Sequence, residues 1–153
     1  MTKKSSNQIP EGYWAILFPL EDGNIGVRFR EHPNIMTFGN DREHAIEMAR
    51  EALNTTLESE IDYDIRLSPG KRPRLGPREE AVFVRISNDI RVAYMLRAWR
   101  RERGMTQKEV AEQLGVKYQS YQRMEKPGHA NLTVTKLEQV ASVLGKQLVI
   151  EAR

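Results

Sequence analysis

Tyr13-Trp-Ala-Ile-Leu-Phe-Pro-Leu20 is apolar at almost every position, the pattern of a strand buried on both faces or one whose outer face meets a partner. Glu21-Asp-Gly-Asn24 supplies turn residues, and Ile25, Val27 and Phe29 then alternate with Gly26, Arg28 and Arg30, a half-buried second strand. The two form a hairpin. After an irregular stretch from Glu31 to Gly39, Asn40 with Glu43 three residues on has the spacing of a capping box. The helix it opens places Ile46, Ala49, Leu53 and Leu57 toward the hairpin and leaves Glu43, Glu47, Glu51 and Glu58 in water. Ala81 to Ile86 reads as a third strand, so this half is a small ββαβ unit.

From Ser87 the period becomes helical throughout. Ser87, Asn88 and Asp89 offer caps ahead of Val92, Met95, Leu96 and Trp99; Arg97, Arg100, Arg101 and Arg103 fall on the far side, and Gly104 ends the helix. Thr106 and Glu109 form a second capping box, opening a short helix whose Val110, Ala111 and Leu114 face inward and which Gly115 stops. The next helix runs from Lys117 to Glu125 with Tyr121 and Met124 inside and Lys117, Tyr118, Gln119, Ser120, Gln122 and Arg123 outside. A fourth starts at Thr133 or Thr135, buries Leu137, Val140, Ala141 and Leu144, and stops at Gly145. Gln147 to Glu151 reads as a closing strand, either pairing with its twin in a dimer or covering the domain's own core.

The chain is thus expected to be α+β: a ββαβ sheet-and-helix domain, then an all-α domain with a short C-terminal strand. The boundaries are a frayed tail over 1–10, a first domain over 11–86 that includes the Pro/Gly-rich loop 68–78, and a second domain over 87–153. Charge sharpens this division. The 153 residues carry 24 Lys and Arg against 21 Asp and Glu, a net +3, yet residues 1–70 sum to −5 and 71–153 to +8. A basic half suits nucleic acid and an acidic half does not; the basic side chains of Ser68 to Arg78, namely Lys71, Arg72, Arg74 and Arg78, can themselves brush DNA. Without cysteine there is no disulfide or thiolate metal site, no metal or cofactor is expected, and a reducing cytoplasm fits. The longest apolar stretch is far short of the roughly 20 residues of a membrane span. Met1 to Gln8 has no apolar core behind its charges and does not read as a signal peptide.

Thr106-Gln-Lys-Glu-Val-Ala-Glu-Gln-Leu-Gly-Val116 followed by a polar helix resembles the helix-turn-helix of lambda-repressor-like (Cro-type, XRE) regulators. The resemblance rests on Ala111 at the helix crossing, Gly115 at the turn, and Val116, Tyr121 and Met124 beneath a helix made to lie in the major groove. It implies that Gln107 approaches phosphate and that Lys117, Tyr118, Gln119 and Gln122 face bases, with Ser120 and Arg123 completing the surface. Taken whole, the chain from Tyr13 onward resembles HicB, the antitoxin of HicA-HicB pairs, in the subgroup with a C-terminal helix-turn-helix. Phe29 to Pro33, Thr37-Phe-Gly39, Glu43, Ala45, Ala49, Glu51 and Ala52 carry the likeness in the first half. Gln119, Gln122-Arg123, His129 and Leu144-Gly-Lys-Gln-Leu148 carry it in the second. Arg30, Glu31 and Asn34 depart from that family's loop pattern.

The resemblance implies a partial, catalytically dead ribonuclease-H-like first domain that masks HicA, a small basic RNase. It also implies a homodimer or higher oligomer that represses its own operon from operator DNA. Trp14, Glu21, Asp22, Glu31 and His32 are the candidate toxin contacts. His129 is read as a support of its loop or a phosphate contact rather than a metal ligand. Two other readings compete. One is a one-component regulator whose first domain senses a small ligand, which needs a concave pocket with convergent polar groups. The other is a metal-dependent nuclease, disfavoured because no Asp or Glu lies in the first strand and Glu21 and Asp22 are turn residues. Catalysis is therefore not expected.

Overall fold

The structure, a computed structural model, describes residues 9–63, 65–128 and 132–153. In chain order the elements are β1 (Gly12–Pro19), β2 (Ile25–Phe29), β3 (Met36–Gly39), α1 (Arg42–Ile61), β4 (Glu80–Arg85), α2 (Asn88–Glu102), α3 (Gln107–Leu114), α4 (Tyr118–Met124) and α5 (Val134–Val143). They form two compact units that divide within α2, between Arg91 and Val92. The class is α+β.

In the first unit four antiparallel strands lie in the order β3-β2-β1-β4. The strand period of two sorts their side chains. Tyr13, Ala15 and Leu17 share a face with Val27 and Phe29, opposite Leu17 and Ala15 in register, and all five are buried. Helix α1 packs on the sheet with Ala45, Ala49, Leu53, Leu57 and Ile61 fully enclosed. Ala49, Leu53 and Leu57 are buried as expected, but Ala45 takes the first place in the stripe instead of Ile46, which is only half-buried, and Gly39 of β3 lies against this first turn of α1. A Cβ on Gly39 would stand 2.2 Å from the Ala45 nitrogen.

Two expectations for this unit are corrected. The stretch read as irregular contains β3, a short edge strand whose Met36 and Phe38 point away from α1 and are 71% and 58% exposed. The N-cap of α1 is Asp41, whose carboxylate accepts the His44 backbone N–H at 2.8 Å. Asn40 sits one residue earlier, and its backbone N–H donates to the His44 ring at 3.2 Å. The Pro/Gly-rich stretch precedes β4, which pairs with β1, and lies within the first unit. Tyr13 donates from its hydroxyl to the Ser68 carbonyl at 2.8 Å, and Pro73 is buried. With the loop's cations counted where they lie, the units sum to −2 and +5.

The second unit is a four-helix cluster around Leu96, Val110, Ala111, Tyr121, Met124, Val140 and Leu144. The Thr106–Glu109 capping box is complete in both directions, and Gly115 takes the left-handed conformation (φ 68°, ψ 31°) that ends α3. Thr133 caps α5. The closing strand expected over Gln147 to Glu151 is not formed: no ladder pairs these residues, Leu148 is half-buried, and Val149 and Ile150 are 71% and 68% exposed. Five residues cannot make a sheet without a partner strand, and none lies beside them among the described residues.

Candidate nucleic-acid interface

Helices α3 and α4 meet across a turn of three residues. The Val116 backbone N–H returns to the Ala111 carbonyl at 3.1 Å, and Lys117 caps α4 through its backbone alone. An uncapped, solvent-facing N-terminus leaves free N–H groups and a positive dipole end, the arrangement that receives a phosphate at the edge of a groove. Tyr121 and Met124 anchor the inner side. Lys117, Tyr118, Gln119, Ser120 and Arg123 are exposed and Gln122 is half-buried, so the six outward residues read from the sequence do share one polar face.

What holds that face in place is a residue not expected from the sequence. Glu125, immediately after α4, is fully buried. Arg100 from α2 grips its carboxylate with two N–H groups at 2.6 and 3.0 Å and donates a third to the Met105 carbonyl at 3.1 Å. Tyr121 donates its hydroxyl at 2.7 Å, Gln107 donates its amide at 2.8 Å, and Arg97 Nε lies 3.6 Å away. Burial opposes ionisation of Glu125. The hydrogen bonds from Arg100, Gln107 and Tyr121 and the Arg100 charge outweigh it and hold the carboxyl below its ordinary range. The same pair raises Arg100 against its own desolvation. One carboxylate thus ties α2, the start of α3 and, through Tyr121, the middle of α4 together.

Two roles change as a result. Arg97 and Arg100, expected on the far side of their helix, are turned inward at 10% and 15% side-chain exposure. Gln107, expected to approach phosphate, spends its amide N–H on Glu125, while its carbonyl oxygen accepts from the Tyr118 hydroxyl at 3.3 Å. It fastens α4 and orients Tyr118. A signal was present: Arg97 and Arg100 flank Leu96 and Trp99 on the apolar side of the helix, and Glu125 follows Tyr121 by one turn.

In the first unit the five candidate toxin contacts do not form one patch. Glu21 and Asp22 are exposed in the β1–β2 turn, where Asp22 accepts from the Asn24 backbone and side-chain amides at 3.0 and 2.8 Å. Trp14 is half-buried against Phe83 and beneath Arg72. Glu31 and His32 are turned inward. Glu31 accepts the Lys71 backbone N–H at 3.2 Å, and His32, 7% exposed, packs edge-on to Tyr13 with Nδ1 4.0 Å from Glu60. Burial lowers the His32 pKa despite Glu60 and Glu31. These two residues brace the loop instead of presenting a contact. His129 lies outside the described residues.

The α3–turn–α4 geometry with its outward polar face defines a helix-turn-helix DNA-binding protein extended by a sheet-and-helix domain. The helix-turn-helix family model matches residues 96–150. Over 139 residues, 90% of this chain and 84% of the relative, the sequence is 34% identical to "Antitoxin HicB 1" of Photorhabdus laumondii subsp. laumondii. The chain belongs to the HicB antitoxin family. No helix among the described residues is long and apolar enough to cross a membrane, and no group of three or more His, Asp or Glu among them could hold a metal ion.

Proposed function

We propose that this protein is a cytoplasmic antitoxin, without catalytic activity, that neutralises a HicA-type RNA-cleaving toxin by covering it and represses its own operon through sequence-specific operator binding. The observation that carries the second half is α4: five exposed polar residues and one half-buried on a helix whose inner side is locked by Glu125. Gln119 and Gln122 are of the type that reads adenine edges in the major groove, and Arg123 and Lys117 meet phosphate. A homodimer, or a higher oligomer built from it, presents two such helices to half-sites about one helical turn apart.

For the first half, the α1 carboxylates Glu43, Glu47, Glu51 and Glu58 are exposed, as is Glu21. An acidic face of this kind suits a basic RNA-binding toxin and speeds its encounter at low salt. The deciding experiment is a gel shift on the operon's own promoter. The Gln119→Ala/Gln122→Ala protein loses discrimination between operator and scrambled duplex, whereas Arg123→Ala weakens both equally and lowers the salt slope by about 1. Retained discrimination in the double variant removes α4 as the reading element.

A further inference from the structure

The Pro/Gly-rich segment packs along the sheet and closes a half-open groove of about 580 Å³ within the first unit. Five cations line it: Arg28 and Arg30 from the strand side, and Lys71, Arg72 and Arg74 from the segment, with Ile16 among the apolar residues of the floor. Arg28 is partly neutralised by Glu79, and Arg30 lies 3.8 Å from Glu31. Lys71, Arg72 and Arg74 have no carboxylate within ion-pair reach among the described residues, although they fall within four consecutive positions. Such a concentration of like charge costs free energy when nothing anionic occupies it.

The segment is also held in position. Pro73 is buried and fixes the backbone between the two arginines. Gly70 passes so close to β1 that a Cβ there would come within 2.9 Å of the Gly12 carbonyl oxygen, and Glu31 accepts from the Lys71 backbone. The ordering cost of these cations is therefore met on folding, before any ligand arrives. Beside them the face of the sheet turned away from α1 carries aromatic rings. Arg72 lies 5.1 Å over the Trp14 ring, Trp14 meets Phe83 edge-on at 5.3 Å, Phe83 is 37% exposed, and Arg28 lies 5.6 Å over Phe18.

Cations beside partly exposed aromatic rings, with guanidinium planes stacked on them, distinguish a single-stranded nucleic-acid surface from one made for an acidic protein. The cations follow the phosphates, and the rings accept unpaired bases whatever their identity. We propose that this groove binds single-stranded nucleic acid, with phosphates against Lys71, Arg72 and Arg74 and a base against Trp14 and Phe83. This mode of binding is sequence-tolerant and separate from the duplex-reading face of α4.

The test uses the full chain and a fluorescent single-stranded RNA twelve-mer, read by anisotropy and by quenching of tryptophan fluorescence. Arg72→Ala/Arg74→Ala is expected to raise the RNA Kd at least about tenfold and to lower the log–log salt slope by about 1.4, since two phosphates are left without a cation at about 0.7 each. Affinity for the operator duplex stays unchanged. Arg72→Lys/Arg74→Lys, which keeps the charge and the fold, restores most of the RNA affinity. Wild-type RNA affinity in the Ala double variant overturns the proposal, as does a polyglutamate peptide or a mononucleotide that binds the groove as tightly as the twelve-mer.

Discussion

At the scale of single residues, Glu125 is the most consequential side chain of the second unit. Removing one partner of a buried ion pair costs about 3–5 kcal/mol because the other charge is left uncompensated. Glu125→Gln should therefore lower the unfolding free energy of this unit, measured by urea titration, by an amount of that order and abolish operator binding with it. Glu125 titrates below its ordinary 4.5 in the folded protein. The stability it provides is complete above that value and is lost as pH falls from it through the lower folded pKa. His32 has the same sign for a different cause. Burial lowers it from 6.5, so the stability that neutral His32 provides is complete above pH 6.5 and is lost as pH falls through the folded value, where a proton must enter a site with little water. His32→Gln should flatten that acid slope in urea titrations followed from pH 8 to 5; an unchanged slope would assign it to other groups.

At the scale of elements, the legible parts are those whose signal is local. The Thr106–Glu109 box, the Gly115 stop and the alternation of β2 each depend on residues within a few positions of one another, and each stands in the structure where the sequence puts it. Strand β3 was not legible, because only four residues long and with Met36 and Phe38 facing outward it lacks a buried apolar period. What defines it is pairing with Arg28 to Ile25, a non-local fact. Glu125 was hidden in part for the same reason: its partners Gln107 and Arg100 are 18 and 25 residues away, and only the Tyr121 contact is local. The β3–α1 junction gives a direct check. Gly39→Ala forces a methyl group into the α1 backbone and should destabilise the first unit by about 1–3 kcal/mol, as overpacking does, measured as a lower melting temperature. The turn before β4 predicts the opposite sign. Arg78 holds φ 64° after Pro77, a position that favours glycine, so Arg78→Gly should raise the melting temperature slightly; a fall would mean that the Arg78 side chain contributes more than its backbone strain costs.

At the scale of the whole molecule, two units of opposite charge share one chain, and their tasks should separate. Glu47→Lys/Glu51→Lys reverses two exposed α1 charges and should weaken toxin neutralisation in a growth-rescue assay while leaving operator affinity intact. If rescue is unaffected, the toxin meets another surface. The contrast of −2 and +5 is milder than the sequence division at residue 70 suggested, since the loop's cations stay with the sheet. The Glu125 anchor has a further consequence for the face above it. Because the carboxylate grips α2, α3 and α4 from beneath, the exposed positions Lys117, Gln119, Ser120 and Arg123 contribute nothing to the core. They can be exchanged without remaking the scaffold. On the proposed reading of operator DNA, a change of promoter preference therefore needs substitutions at these surface positions alone and leaves the fold as it is.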